Sequence, residues 1–184
     1  LLGCVMAVQA AAQTAPAPIA PLPSKHQVAW QQMETYAFIH FGPNTFGNRE
    51  WGYGDAPLES FNPTRLDCEQ WAKTLHDAGM KGIIITAKHH DGFCLFDSKL
   101  TDFKSTNTPC RRDLVREYVE AFRAEGLKVG LYYSPAQWGG KISFKEDREY
   151  DDYFINQIGE LLTGYGKIDY LWFDGCGSEG HQYD

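Results

Sequence analysis

The sequence predicts an α/β fold: a (β/α)8 TIM-like barrel of which only about the first four βα units are present. Three observations carry this expectation. Short apolar runs alternate with amphipathic stretches and are joined at Gly-marked turns, the pattern of parallel βαβ units. Polar, reactive side chains fall at the carboxyl end of each apolar run, where barrels and doubly wound sheets both place their sites. No G-x-G-x-x-G or G-x-x-x-x-G-K-[ST] follows any run, which argues against nucleotide folds and for the barrel.

In chain order, "YAFIHFG" (36–42) reads as the first strand. "DCEQWAKTLHDAG" (67–79) reads as a helix with Asp67 as N-cap, Gln70 at the capping-box position and Gly79 as its stop. "KGIIITAKHH" (81–90) is a strand buried on both faces, because its isoleucines are unbroken by polar residues. "RRDLVREYVEAFRAEG" (111–126) is a helix with Leu114, Val115, Tyr118, Val119 and Phe122 on one face. "KVGLYYS" (128–134) is the third strand and "REYDDYFINQIGELLTGYG" (148–166) the third helix. "DYLWFDG" (169–175) is the fourth strand. Four strands leave an apolar edge unpaired, so the expected architecture is the N-terminal half of a catalytic barrel, truncated, over 25–184.

Residues 1–24 differ from the rest. They carry no charge, begin apolar and turn Ala/Pro-rich, as a signal peptide or lipoprotein signal followed by a linker does. Val8-Gln9-Ala10 suits signal-peptidase cleavage, and "LLGC" offers Cys4 as a lipid anchor. Either route exports the protein to a periplasmic, outer-membrane-anchored or extracellular location, and the segment is too short to be a transmembrane span. The net charge of −7 is spread along the chain without a Lys/Arg block, so nucleic acid is not an expected partner. Cys68, Cys94, Cys110 and Cys176 have no C-x-x-C spacing and read as buried thiols rather than a zinc site.

The chemistry lies at the strand ends. Period-two alternation puts Leu171 and Phe173 towards the helices and Trp172 with Asp174 towards the barrel axis. A carboxylate there, beside an aromatic shelf, is placed to attack a sugar carbon; it also fits an aspartate that caps an Asp-Gly turn. "AKHHDGF" (87–93) admits three readings. His89, His90 and Asp91 form a metal set, or one histidine is satisfied in the core, or both rings hold substrate hydroxyls. Adjacent side chains on an extended strand point apart, so the last reading requires a bend or bulge near His89. "NREWGYGD" (48–55) is a polar loop that offers Glu50 and Trp51 as specificity elements.

"FIHFGPNTF", "EWGYG", "WAKTLHDAGMKGIIITAKHHDGFCLFDSK", "RDLVREYVEAFRAEGLKVGLYYS" and "YLWFDG" together resemble the retaining α-L-fucosidases of glycoside hydrolase family 29, over roughly residues 30–175. The resemblance implies a (β/α)8-like catalytic barrel followed by a β-sandwich, no cofactor and no metal. It implies hydrolysis of terminal α-L-fucose from an oligosaccharide or glycoconjugate with retention of configuration. It makes Asp174 the nucleophile, and His40, His89 and His90 the ligands of the sugar hydroxyls. Glu50 and Trp51 become loop contacts, Trp172 a pocket wall and Tyr133 a tyrosine near the reacting centre. The acid/base carboxyl is expected outside this chain, since Glu179 shares a loop with Asp174 and nothing aims it across the bond. The alternative from another class is a catalytically incomplete carbohydrate-binding fragment.

Overall fold

The computed structural model describes residues 15–139 and 147–175. Cys4, the cleavage region at 8–10, Cys176 and Glu179 lie outside the described residues. The chain forms two units, Leu1–Gln32 and Met33–Asp184.

The first unit holds one helix, α1 (Lys25–Gln31). It starts at a capping box: Gln27 N donates to Ser24 Oγ at 3.2 Å and Ser24 N donates to Gln27 Oε1 at 2.7 Å. The S-x-x-Q spacing that sets it was present in the sequence and went unread.

The second unit is a four-stranded parallel sheet with helices between its strands, part of a (β/α)8 barrel as expected. Its elements are β1 (Tyr36–Ile39), α2 (Pro43–Gly47), α3 (Cys68–Asp77), β2 (Gly82–Lys88), α4 (Leu114–Ala124), β3 (Lys128–Tyr133), α5 (Asp147–Gly164) and β4 (Tyr170–Phe173). Strand order follows the chain, β1-β2-β3-β4, each pair parallel. β1 is shorter than expected. The chain leaves the sheet at His40 and turns into the one-and-a-half-turn helix α2, which the Gly-Pro-Asn sequence had concealed as loop.

Asp67 caps α3 by accepting from Gln70 N at 2.9 Å, but the expected reciprocal bond is not made. The Gln70 side chain donates forward to Thr74 Oγ1 at 2.9 Å instead. Asp113 caps α4 the same way, accepting from Arg116 N at 2.9 Å.

The sheet has two unlike faces. Ile83, Ile85, Ala87, Val129, Leu131 and Tyr133 pack outward into the core with Leu114, Val115, Tyr118 and Phe122 of α4 and Leu161 of α5. Tyr118 ties α4 to the sheet, donating to the Ile83 and Gly130 carbonyls. On the concave side, rings line the surface: Phe38 meets Trp172 at 5.1 Å and Tyr132 at 5.7 Å. Cys68, Cys94 and Cys110 are free thiols, the first two buried. No helix among the described residues is long and apolar enough to cross a membrane.

Candidate functional site

A break in the β2–β3 pairing builds the site. The register shifts between Thr86 and Lys88, so Ala87 and Lys88 both turn to the helix side. This resets the alternation by one residue, and His89 then faces the concave surface. The chain next closes a turn in which Gly92 N donates to His89 O at 3.0 Å. Gly92 takes a positive φ of 82° there, which a side chain disfavours. The bend that two neighbouring histidines required is thus supplied mostly before His89. Their rings lie 4.3 Å apart, and His40 meets His89 edge-on at 4.6 Å.

Asp174 follows β4 directly. Its Oδ2 accepts from the Tyr132 hydroxyl at 2.7 Å and lies 3.7 Å from His90 Nε2. Tyr132 in turn touches the rings of His40 (5.8 Å) and His89 (5.7 Å). His40, His89, His90 and Asp174 therefore share one rim.

The hydrogen-bond network assigns the His90 tautomer. Ser134 Oγ donates to Ala136 O at 2.6 Å, so it must accept from His90 Nδ1–H at 2.5 Å. Neutral His90 then offers Nε2 to the site as an acceptor. Burial pulls the His89 pKa down to about 3, with His90 and His40 adding to the effect. His40 and His90 are also lowered, by desolvation first, with Asp174 opposing. Near neutral pH the three rings are neutral hydrogen-bonding groups. The Tyr132 hydroxyl is pushed up, by burial first and then by its bond to Asp174, so it stays a donor.

Asp91 is buried, and its carboxylate is taken up locally. Oδ1 accepts from Phe93 N at 3.0 Å and Oδ2 from Asn44 Nδ2 at 3.0 Å, fastening α2 to the turn after β2. Among the described residues no cluster of three or more His, Cys, Asp or Glu side chains is arranged to hold a metal ion.

Glu50 lines a small cavity with His40, Asn44, Thr86, His89 and Asp91. Trp51 stands further out, perpendicular to Trp138 at 6.0 Å, and Tyr53 stacks on Trp138 at 6.1 Å. The loops after β1 and β3 meet backbone to backbone: a Cβ on Gly54 would fall 2.6 Å from Gly139 Cα. Trp172 is on the concave wall, as its alternation predicted, while Phe173 packs outward on Phe154 of α5 at 5.7 Å.

Tyr133 requires a correction. It faces the helices, is fully buried, and donates to Gln157 Oε1 of α5 at 2.5 Å. The tyrosine at the rim is Tyr132, because β3 and β4 pair Tyr132 with Trp172 and Tyr133 with Phe173. Tyr132 and Ser134 were expected among the polar side chains that close the third strand but were given no role, and Trp138 and Lys88 were overlooked. Parity with Asp174 would have found Tyr132 had the strand register been known. Trp138, 4.6 Å from the His90 ring, follows no periodic signal.

Parallel strands that bring a carboxylate, a phenol and three imidazoles to one aromatic-lined rim define the class: this is part of a (β/α)8-type barrel with a polar site at the carboxyl ends of its strands. The chain belongs to the α-L-fucosidase family, whose model matches residues 7–183. α-L-Fucosidase 1 of Arabidopsis thaliana is 42% identical over 171 residues, which cover 91% of this chain and 33% of that protein. A glycoside hydrolase 29 family member from an unknown rumen bacterium superposes with a TM-score of 0.81 at 44% identity, over 91% of this chain and 32% of that one. α-L-Fucosidase isoenzyme 1 from Paenibacillus thiaminolyticus gives 0.72 at 44%, over 82% and 42%. The chain spans about a third of the length of the curated relatives it matches.

Proposed function

We propose that this chain carries the nucleophile and the sugar-gripping rim of an exported α-L-fucosidase that works by a retaining double displacement. The observation that carries the reading is the Asp174 carboxylate, held by Tyr132 at 2.7 Å beside His90 in a chain of this family.

Asp174 attacks the anomeric carbon through an oxocarbenium-like transition state, forming a glycosyl-enzyme ester that water then cleaves. The Tyr132 hydroxyl occupies Oδ2 and orients the carboxylate, which leaves Oδ1 as the attacking oxygen. His90 accepts a hydrogen bond from a sugar hydroxyl at Nε2, while His40, His89 and Glu50 complete the polar grip. Trp172 and Trp51 cover the apolar faces of the deoxyhexose. A second carboxyl roughly 5 Å from the first must protonate the leaving oxygen and then activate water. We assign it to a segment outside this chain, whose relatives are about three times longer. The isolated chain is accordingly a sugar-binding half-site without turnover.

The test uses the full-length protein and an aryl α-L-fucoside. Asp174→Ala should lower kcat by at least about a thousandfold, and proton NMR should show the α anomer of fucose released first. Turnover within about tenfold of wild type in that variant, or release of the β anomer, would overturn the assignment. Export is tested by cell fractionation, where cytoplasmic retention would count against it.

A further inference from the structure

Lys88 is a fully buried cation that the displacement chemistry does not use. Among the described residues it has no carboxylate partner within ion-pair distance. Its ammonium donates to Gln137 Oε1 at 2.9 Å and to Tyr150 OH at 3.3 Å, and sits 4.5 Å from the Tyr133 ring centroid. Asp91 and Cys94 act on it electrostatically from the turn after β2. Burial pulls its pKa down to about 7. An apolar side chain of the same length would fill this space without desolvating a charge. The amine is therefore a poor stabilising device, and what it touches must explain it.

Lys88 and two of its three contacts, Gln137 and Tyr133, adjoin residues at the rim. Lys88 precedes His89. Gln137 precedes Trp138, whose backbone N–H donates to His90 O at 2.7 Å and whose ring lies 4.6 Å from the His90 ring. Gln137 also packs on Gly92, where a Cβ would come 3.0 Å from Gln137 Cδ. Tyr150 of α5 donates to Pro135 O and so grips the same connection from the other side.

We propose that Lys88 is a positioning residue: through Gln137 and Tyr150 it locks the connection after β3 onto the end of β2, and thereby holds Trp138 against His90. Its consequence for turnover rests on the fucosidase reading, whereas the lock itself does not.

Two measurements on the full-length protein separate these. In acrylamide quenching, the share of fluorescence contributed by Trp138 is the difference between a chain and its Trp138→Phe counterpart. Lys88→Met should render that share more accessible while leaving the thermal midpoint equal or higher. In aryl-fucoside kinetics, Lys88→Met should lower kcat/KM about tenfold to a hundredfold and add nothing in a Trp138→Phe background. Unchanged quenching, or losses that multiply in the double variant, overturns the proposal. If Lys88→Met does not fold, Gln137→Met is judged by the same criteria. A wild-type protein inactive on fucosides overturns the enzymatic reading, and quenching then still decides the lock.

Discussion

Tyr132 and Tyr133 are identical neighbours on one strand, and the two faces of the sheet give them opposite uses. Burial does not separate them, at 3% and 0% exposed; their partners do. Tyr132 joins the concave face, where Phe38, His40 and Trp172 leave an open wall of rings and its hydroxyl holds Asp174. Tyr133 joins the convex face, sealed among Ile83, Ile85, Val129 and Leu131, and its hydroxyl meets Gln157 of α5. One face holds the fold together by excluding water, and the other keeps polar atoms accessible to a ligand. Parity along the strand decides which task a residue receives.

If that division is real, substitutions on the two faces should affect different measurements. The largest stability loss is expected on the convex face. Ile85→Ala removes a buried branched side chain and leaves a cavity, and should destabilise by roughly 2–5 kcal/mol in urea unfolding. A loss under about 1 kcal/mol would show that α3 and α4 do not seal that face. The sharper experiment is the tyrosine pair in the full-length protein. Tyr132→Phe should lower kcat about tenfold to a hundredfold by freeing Asp174 Oδ2, with the urea midpoint nearly unchanged. Tyr133→Phe strips the donor from buried Gln157 Oε1 and should destabilise by about 1–3 kcal/mol, with kcat nearly unchanged. Interchanged outcomes would invert the assignment of the faces.

The alternation of elements was legible because hydrophobic period and glycine punctuation are local properties. So was the inward turn of Trp172 and Asp174, since strand parity needs only a few residues. What could not be read depended on pairing. The register shift at Thr86/Lys88 is a relation between two strands, and without it neither the burial of Lys88 nor the convergence of His89 and His90 follows. Tyr132 and Tyr133 were indistinguishable for the same reason: a two-residue aromatic run has no preferred face until β4 fixes it through Trp172. α1 is a different case, because its capping box was local and readable but sat at the end of a Pro-rich stretch.

The smallest expected effect concerns protons, and it again separates the faces. On the concave side His89 holds a pKa of about 3 against an ordinary 6.5, with His40 and His90 lowered in the same direction. Between those two values the unfolded chain binds a proton that folded His89 refuses, so stability falls as pH drops from 6.5 towards 3. The slope is at most about 1.4 kcal/mol per pH unit per histidine. Lys88, on the helix side, acts in another window. Its amine is at about 7 when folded and 10.5 when free, so its part of the stability rises with pH across that range. Urea midpoints should therefore climb through two ranges, the acidic one flattened by His89→Gln and the alkaline one by Lys88→Met. An acidic limb that His89→Gln leaves untouched would mean that the ring is protonated within the fold, and a charged His89 could not serve as the neutral hydrogen-bonding group the rim requires.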